Sequence, residues 1–167
     1  PEERKTQGIL PSLSVRHNIG IGMLDMTSRL SWVSGSRETE LAEEVVKEYG
    51  VKTPNLSQQM MYLSGGNQQK VIIGRASRGS PRLVIFDEPT KGIDVRTKVE
   101  IHRLMQRLAE QKRIAVVLIS SELDEIMKCS NRVITLYKGR KTGEFDTADT
   151  PRSEIVRAMI GAEGADE

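Results

Sequence analysis

Along the chain, apolar residues recur at helical spacing in some stretches and run contiguously in others, and the alternation of the two patterns predicts the elements. Ser14 is placed to cap a short helix carrying Val15 and Ile19. The segment DMTSRLSWVSGS after it is rich in turn formers, with Trp32 as a packing anchor. From Ser36 the helical pattern sharpens: a capping serine, Glu38 and Glu40 in the first turn, then Leu41, Val45, Val46 and Tyr49 on one face, with Gly50 as the stop. VKTPNLSQQMMY, interrupted by Pro54, reads as a linker in which Met60 and Met61 pack. A polar-then-apolar helix follows Ser64, Gly65 and Gly66, and an apolar run at 83–86 predicts a buried strand.

Beyond that strand the pattern predicts a helix over 94–111, a strand over 114–119, a short helix over 122–127 and a strand over 132–137. Lys138, Gly139 and Arg140 turn the chain into another short strand ending near Phe145. Thr150 and Pro151 start a last helix carrying Ile155, Val156, Met159 and Ile160, ended by Gly161, and the acidic tail AEGADE is expected to be disordered. Helix and strand alternating in this way imply an α/β fold, a parallel sheet with helices packed on it.

Charge and composition narrow the classes of partner. The 25 basic and 23 acidic side chains leave a net charge of +2 and are interspersed, so no electrostatic nucleic-acid surface is expected, and Arg75, Arg78 and Arg82 read as a solvated face. A single cysteine, Cys129, makes no internal disulfide, and His17 and His102 have no metal-ligand spacing; a reducing cytoplasm is the simplest setting. No apolar run approaches the roughly 20 residues that span a bilayer, so a membrane role has to come through a partner. The opening segment is charged and lacks the strand that normally begins an α/β domain, which reads as a start cut within a longer chain.

Two features suit phosphate chemistry. Glycines at a helix start let backbone N–H groups approach an anion at the positive helix end, as Ser64, Gly65 and Gly66 would allow; the bland alternative is a turn with a serine cap. Asp87 and Glu88 stand at the carboxyl end of a predicted strand, where open α/β sheets bind ligands. A carboxylate there suits a nucleotide-borne Mg²⁺, and a second could orient or deprotonate an attacking water. The alternative is that the pair merely ends a strand before Pro89.

The runs LSGGNQQK, VIFDEPTKGID and VLISSELDEI together resemble the ATP-binding cassette (ABC) ATPases. With PEERK, SVRHNI and VKTPNLSQQ, the likeness covers residues 1–161 and is closest to the second cassette of the duplicated ATPases that power bacterial monosaccharide importers. The resemblance implies an incomplete P-loop NTPase core: a helical signature subdomain with its connecting loop over 1–80, the C-terminal part of the α/β ATPase core over 81–161, and a tail over 162–167. Ser64, Gly65 and Gly66, with Gln68, match the signature that contacts ATP held by the opposite cassette. Asp87 matches the magnesium-side carboxylate of the Walker B strand, Glu88 the catalytic glutamate and Asp94 the loop that communicates between cassettes.

Two departures from the family pattern shape the expectation. No G-x-x-x-x-G-K-[ST] occurs, so the phosphate-wrapping loop is absent and the chain alone is expected to be inactive. Ser121 occupies the position of the switch histidine, and serine offers a phosphate no charge; this matches the second cassettes of sugar importers while putting hydrolysis at this cassette's own site in doubt. The usual coupling glutamine has no clear counterpart. The implied cofactors are ATP and Mg²⁺. The implied partners are another cassette, membrane permease subunits at the inner face of the cell membrane and, indirectly, a sugar-binding protein. An alternative role is a non-hydrolytic module that pairs cassettes by donating its signature. Without the phosphate-loop strand, the sheet is expected to expose an edge, inviting strand exchange or self-association.

Overall fold

The computed structural model describes residues 8–24, 28–29, 32–79 and 81–161, with backbone only at 28–29 and 32–33. The Trp32 side chain, the PEERK segment and the 162–167 tail lie outside these residues. The chain divides into two compact units, one ending at Ile119 and the other beginning at Ser120. The 80/81 boundary drawn from the motifs falls inside the first of them.

The first unit begins with α1 (Val15–Gly20), which Ser14 caps by accepting the His17 N–H. Asn18, fully buried, holds the preceding loop by accepting from Leu10 N at 2.8 Å and donating to the carbonyls of Leu10, Leu13 and Ser14. Two-residue strands β1 (Ser28–Arg29) and β2 (Trp32–Val33) pair antiparallel in the turn-rich segment. Helix α2 (Gly35–Tyr49) is capped by Ser34 and not by Ser36, so the helix starts two residues earlier than its pattern suggests. Gly50 ends it in the left-handed region, which a glycine enters without steric cost.

Helix α3 (Gly65–Ser77) packs against α1 and α2, with Val71 and Ile73 buried against the same core as Val15, Ile19, Ala42, Val45 and Met60. Its approach to α2 depends on Gly74, where a Cβ would come within 2.5 Å of Val45. Met60 packs as expected, but Met61 is 53% exposed, because the short 3-10 turn at Met60–Tyr62 puts adjacent residues on different sides. The basic cluster is also not a solvated face. Arg75 donates to the carbonyls of Gly8 and Asn18, and burial pushes its guanidinium below the usual value. Arg78 pairs with Glu44 at 2.8 Å and Glu48 at 3.2 Å on α2; only Arg82 is exposed.

Strands β3 (Leu83–Asp87) and β4 (Ala115–Ile119) run parallel, Leu83 opposite Ala115 and Asp87 opposite Ile119. Helix α4 (Val95–Glu110) links them and buries Ile101, Leu104, Met105 and Leu108. The predicted strand is buried on one face only: Val84 and Phe86 are covered, while Leu83 and Ile85, with Val117 and Ile119 on β4, are exposed. Among the described residues the strands form three separate two-stranded sheets, so β3–β4 is the whole parallel sheet there.

In the second unit, α5 (Leu123–Cys129) precedes a hairpin of β5 (Arg132–Tyr137) and β6 (Arg140–Asp146). Lys138 (φ 46°) and Gly139 (φ 78°) both take the left-handed conformation that a two-residue hairpin loop requires. Helix α6 (Arg152–Met159) packs on the hairpin through Ile155 and Ala158, both fully buried. Cys129 is half-buried, and desolvation, followed by the charge of Glu125, pushes its thiol up.

Candidate functional site

Ser64 caps α3. Its hydroxyl accepts from the N–H of Asn67 at 3.4 Å and from Asn67 Nδ2 at 2.9 Å, while the residue stays exposed. The first-turn amides at Gly65 and Gly66 have no intrahelical acceptor, so the end of α3 carries donors and the positive pole of its dipole. Gln68 stands beneath this surface at 4% exposure. Its Nε2 donates to the carbonyls of Met60 (2.9 Å) and Leu63 (3.2 Å), and its Oε1 is buried without a partner among the described residues. Gln68 therefore holds the loop that leads into Ser64.

Asp87 ends β3 and is half-buried. The parallel ladder runs one residue past it, with Glu88 N donating to Ile119 O at 2.9 Å, and there the backbone turns sharply: Glu88 has φ 45°. For a residue with a Cβ the left-handed region costs on the order of 1–2 kcal/mol. Among the described residues two other non-glycine residues, Arg113 and Lys138, share this conformation, both in turns between elements. Strain at Glu88 differs in placement, because it occurs directly at the carboxyl end of a parallel strand, beside a second carboxylate. Lys91 N then bonds Glu88 O, Ile93 N bonds Thr90 O, and Gly92 turns at φ 68°, which together deliver Asp94 to the start of α4.

Asp94 caps α4 twice over, accepting from Thr97 N at 3.0 Å and from the Thr97 hydroxyl at 2.7 Å; these bonds, the hydroxyl foremost, hold its carboxyl below the usual range. Helices α3 and α4 meet near their starts. A Cβ on Gly66 would lie 2.2 Å from Thr97 Cγ2, and one turn further along each helix Lys70 Nζ lies 2.6 Å from Glu100 Oε2. Lys70, 5% exposed, also donates to Gly50 O at 3.0 Å, so one ammonium joins the end of α2 to α3 and α4. The structure thus brings Ser64, Gly65, Gly66 and Asp94 to neighbouring helix starts. Asp87 and Glu88 stand at the strand end that feeds Asp94.

Ser121 belongs to the second unit, exposed just ahead of α5, where Ser120 Oγ accepts from Glu122 N at 3.0 Å. Lys70 and Thr97 escaped the sequence reading. Thr97 carried a usable signal, the Asp-x-x-Thr spacing of a capped helix start, whereas a buried lysine in a polar helix start carries none.

Among the described residues no group of His, Cys, Asp or Glu could by itself hold a metal ion, and no helix is long and apolar enough to cross a membrane. A single carboxylate at Asp87 does fit Mg²⁺ that arrives on a nucleotide, since that ion keeps phosphate and water ligands and takes few from protein. The cleft lined by Glu48, Tyr49, Leu108 and Lys112, about 40 Å³, is too small for a nucleotide.

A family model described as ABC transporter matches residues 3–91. The ribose import ATP-binding protein of Burkholderia mallei is 47% identical over 167 residues, covering 99% of this chain and 33% of that protein. The xylose import ATP-binding protein of Thermoanaerobacter pseudethanolicus is 38% identical over 160 residues, 96% of this chain and 32% of that protein. The chain thus spans about a third of the length of the curated relatives it matches. A solved dimeric ATP-binding cassette, in a post-hydrolysis state bound to ADP and Pi, superposes with a TM-score of 0.70 at 25% identity, over 84% of this chain and 60% of that one. On the family match, the motifs it contains and the shared fold, this chain belongs to the ABC transporter family.

Proposed function

We propose that this chain is part of the ATP-hydrolysing subunit of an importer for simple sugars, working at the cytoplasmic face of the membrane with permease subunits, a sugar-binding protein and a second cassette. The relatives' names, ribose and xylose import ATP-binding proteins, support the substrate class. The observation that carries the catalytic reading is the strained backbone of Glu88 beside Asp87 at the end of a parallel strand. A local rule is broken where the chemistry would need a carboxylate held in one place.

In this reading Ser64 and the N–H groups of Gly65 and Gly66 face the terminal phosphate of ATP on the opposite cassette, and Gln68 supports them from below. Asp87 would hold the magnesium side of a nucleotide whose phosphate loop lies outside this chain, and Glu88 would orient or deprotonate the attacking water. When bound, Mg²⁺ would supply neutralisation of phosphate charge. Asp94, fixed by Thr97, carries the contact between cassettes. Alone, the chain is inactive, because it contains no phosphate loop.

Changing Glu88 to Gln in the full-length parent, reconstituted with its permease, should lower sugar-stimulated ATP turnover; unchanged turnover removes the catalytic role. Ser121, which has no charge to offer a phosphate, favours a second reading in which this cassette is a non-hydrolytic pairing module. That reading prevails if Ser64→Ala abolishes turnover while Glu88→Gln does not. The open apolar face of Leu83, Ile85, Val117 and Ile119 also supports self-association of the isolated chain. Light scattering at high concentration checks this, and a strict monomer rules it out.

A further inference from the structure

Gly66 invites one explanation from sequence, that a phosphate must come close to its backbone. The packing supplies a different one. A Cβ at position 66 would meet Thr97 Cγ2 at 2.2 Å, with Thr97 Cβ and Oγ1 both at 3.1 Å, before any ligand entered. Real Cβ atoms do not approach other atoms within 3 Å, so a side chain at position 66 would force either Thr97 out of its present rotamer or α3 and α4 apart. The same threonine has a second task on its other branch, since its hydroxyl donates to Asp94 Oδ2 at 2.7 Å and its N–H to Asp94 Oδ1 at 3.0 Å. A γ-methyl against one motif and a γ-hydroxyl on another is an arrangement that neither serine nor valine reproduces.

We infer that Thr97 is a positioning residue for two motifs at once: its methyl sets the distance of the α3 start that carries Ser64, Gly65 and Gly66, and its hydroxyl fixes Asp94. The Lys70–Glu100 ion pair, one turn further along both helices, locks the same register, so the two helix starts move as one body. A shift of Asp94 is therefore transmitted to the signature amides through Thr97. The lack of a side chain at position 66 is a consequence of helix packing, while its N–H stays on the phosphate face with Ser64 and Gly65.

This inference rests on the phosphate-facing assignment of residues 64–66, and a double-substitution cycle separates the two. Gly66→Ala, Thr97→Ser and the pair together are made in the full-length parent reconstituted with its permease, and ATP turnover and Tm are measured for each. Thr97→Ser keeps the hydroxyl on Asp94 and removes the methyl that a Cβ at position 66 would strike. Gly66→Ala should lower turnover about tenfold, Thr97→Ser, which loses the spacing methyl but keeps the bond to Asp94, should lower it about threefold, and the pair should recover to about the level of Thr97→Ser alone. Recovery stops short of wild type because the spacing methyl is missing from the pair as well. If the pair regains Tm but turns over no faster than Gly66→Ala alone, the nucleotide and not Thr97 constrains position 66, and the inference is overturned while the phosphate-facing assignment stands. If Gly66→Ala lowers Tm but leaves turnover at the wild-type level, the phosphate-facing assignment falls, and the positioning role with it.

Discussion

The full-length parent carrying Ser64→Asp should fold as well as wild type and lose about a hundredfold of its ATP turnover. Ser64 has two roles that a carboxylate separates. As the cap of α3 it only has to accept hydrogen bonds from Asn67, and Asp caps a helix as well as Ser does. An anionic cap also interacts favourably with the positive helix end, by about 0.3–1 kcal/mol. The second role is to receive a phosphate on the same exposed face, and there a fixed negative charge repels the incoming one. Two unit charges about 4 Å apart interact by about 4 kcal/mol near a protein surface, more than a hundredfold loss requires. Tm unchanged or slightly raised, with turnover collapsed, is the expected pair of readings. Turnover near wild type would mean that no phosphate approaches the start of α3.

For stability, the largest single loss is expected from Ile101→Ala. Ile101 is fully buried on the face of α4 that also carries Leu104, Met105 and Leu108, and α4 is the only helix that directly links β3 to β4. Truncating a fully buried isoleucine costs about 2–5 kcal/mol, from lost burial and the cavity left behind. Domains are stable by only about 5–15 kcal/mol, so the loss is a large fraction of the whole. Denaturant unfolding followed by circular dichroism should show the midpoint fall sharply. Val95→Ala is the control: Val95 is 80% exposed on the same helix, and its loss should stay within about 0.5 kcal/mol. Equal effects from the two changes would mean that α4 does not seat its buried stripe on the sheet.

Much of the fold was legible because it is written locally. The caps at Ser14 and Gly50, the stop at Gly161 and the hairpin turn at Lys138 and Gly139 each depend on residues within a few positions, and all lie where the sequence predicts. The apolar runs became β3, β4 and β5 with boundaries shifted by a residue at most. The choice of Ser34 over Ser36 was not legible, since two serines two positions apart offer the same cap chemistry. Nor was the exposure of Leu83 and Ile85, because an apolar run looks the same whether one or both faces of its strand are covered. Arg75 and Arg78 resembled solvated charges until their acceptors, the Gly8 and Asn18 carbonyls and the carboxylates of α2, came alongside.

By itself, the sequence determined which residues start and end the elements, that an aspartate and a glutamate close a strand, and that a capped glycine pair opens a helix. Each of these follows from backbone preference and hydrogen bonding within a turn or two. Only the tertiary structure decided that Gly66 faces Thr97, that Lys70 joins three helices, and that Gln68 lies beneath the surface Ser64 occupies. Those outcomes depend on how closely helices distant in the chain can approach, and that distance is set by the volume of side chains that no local pattern pairs.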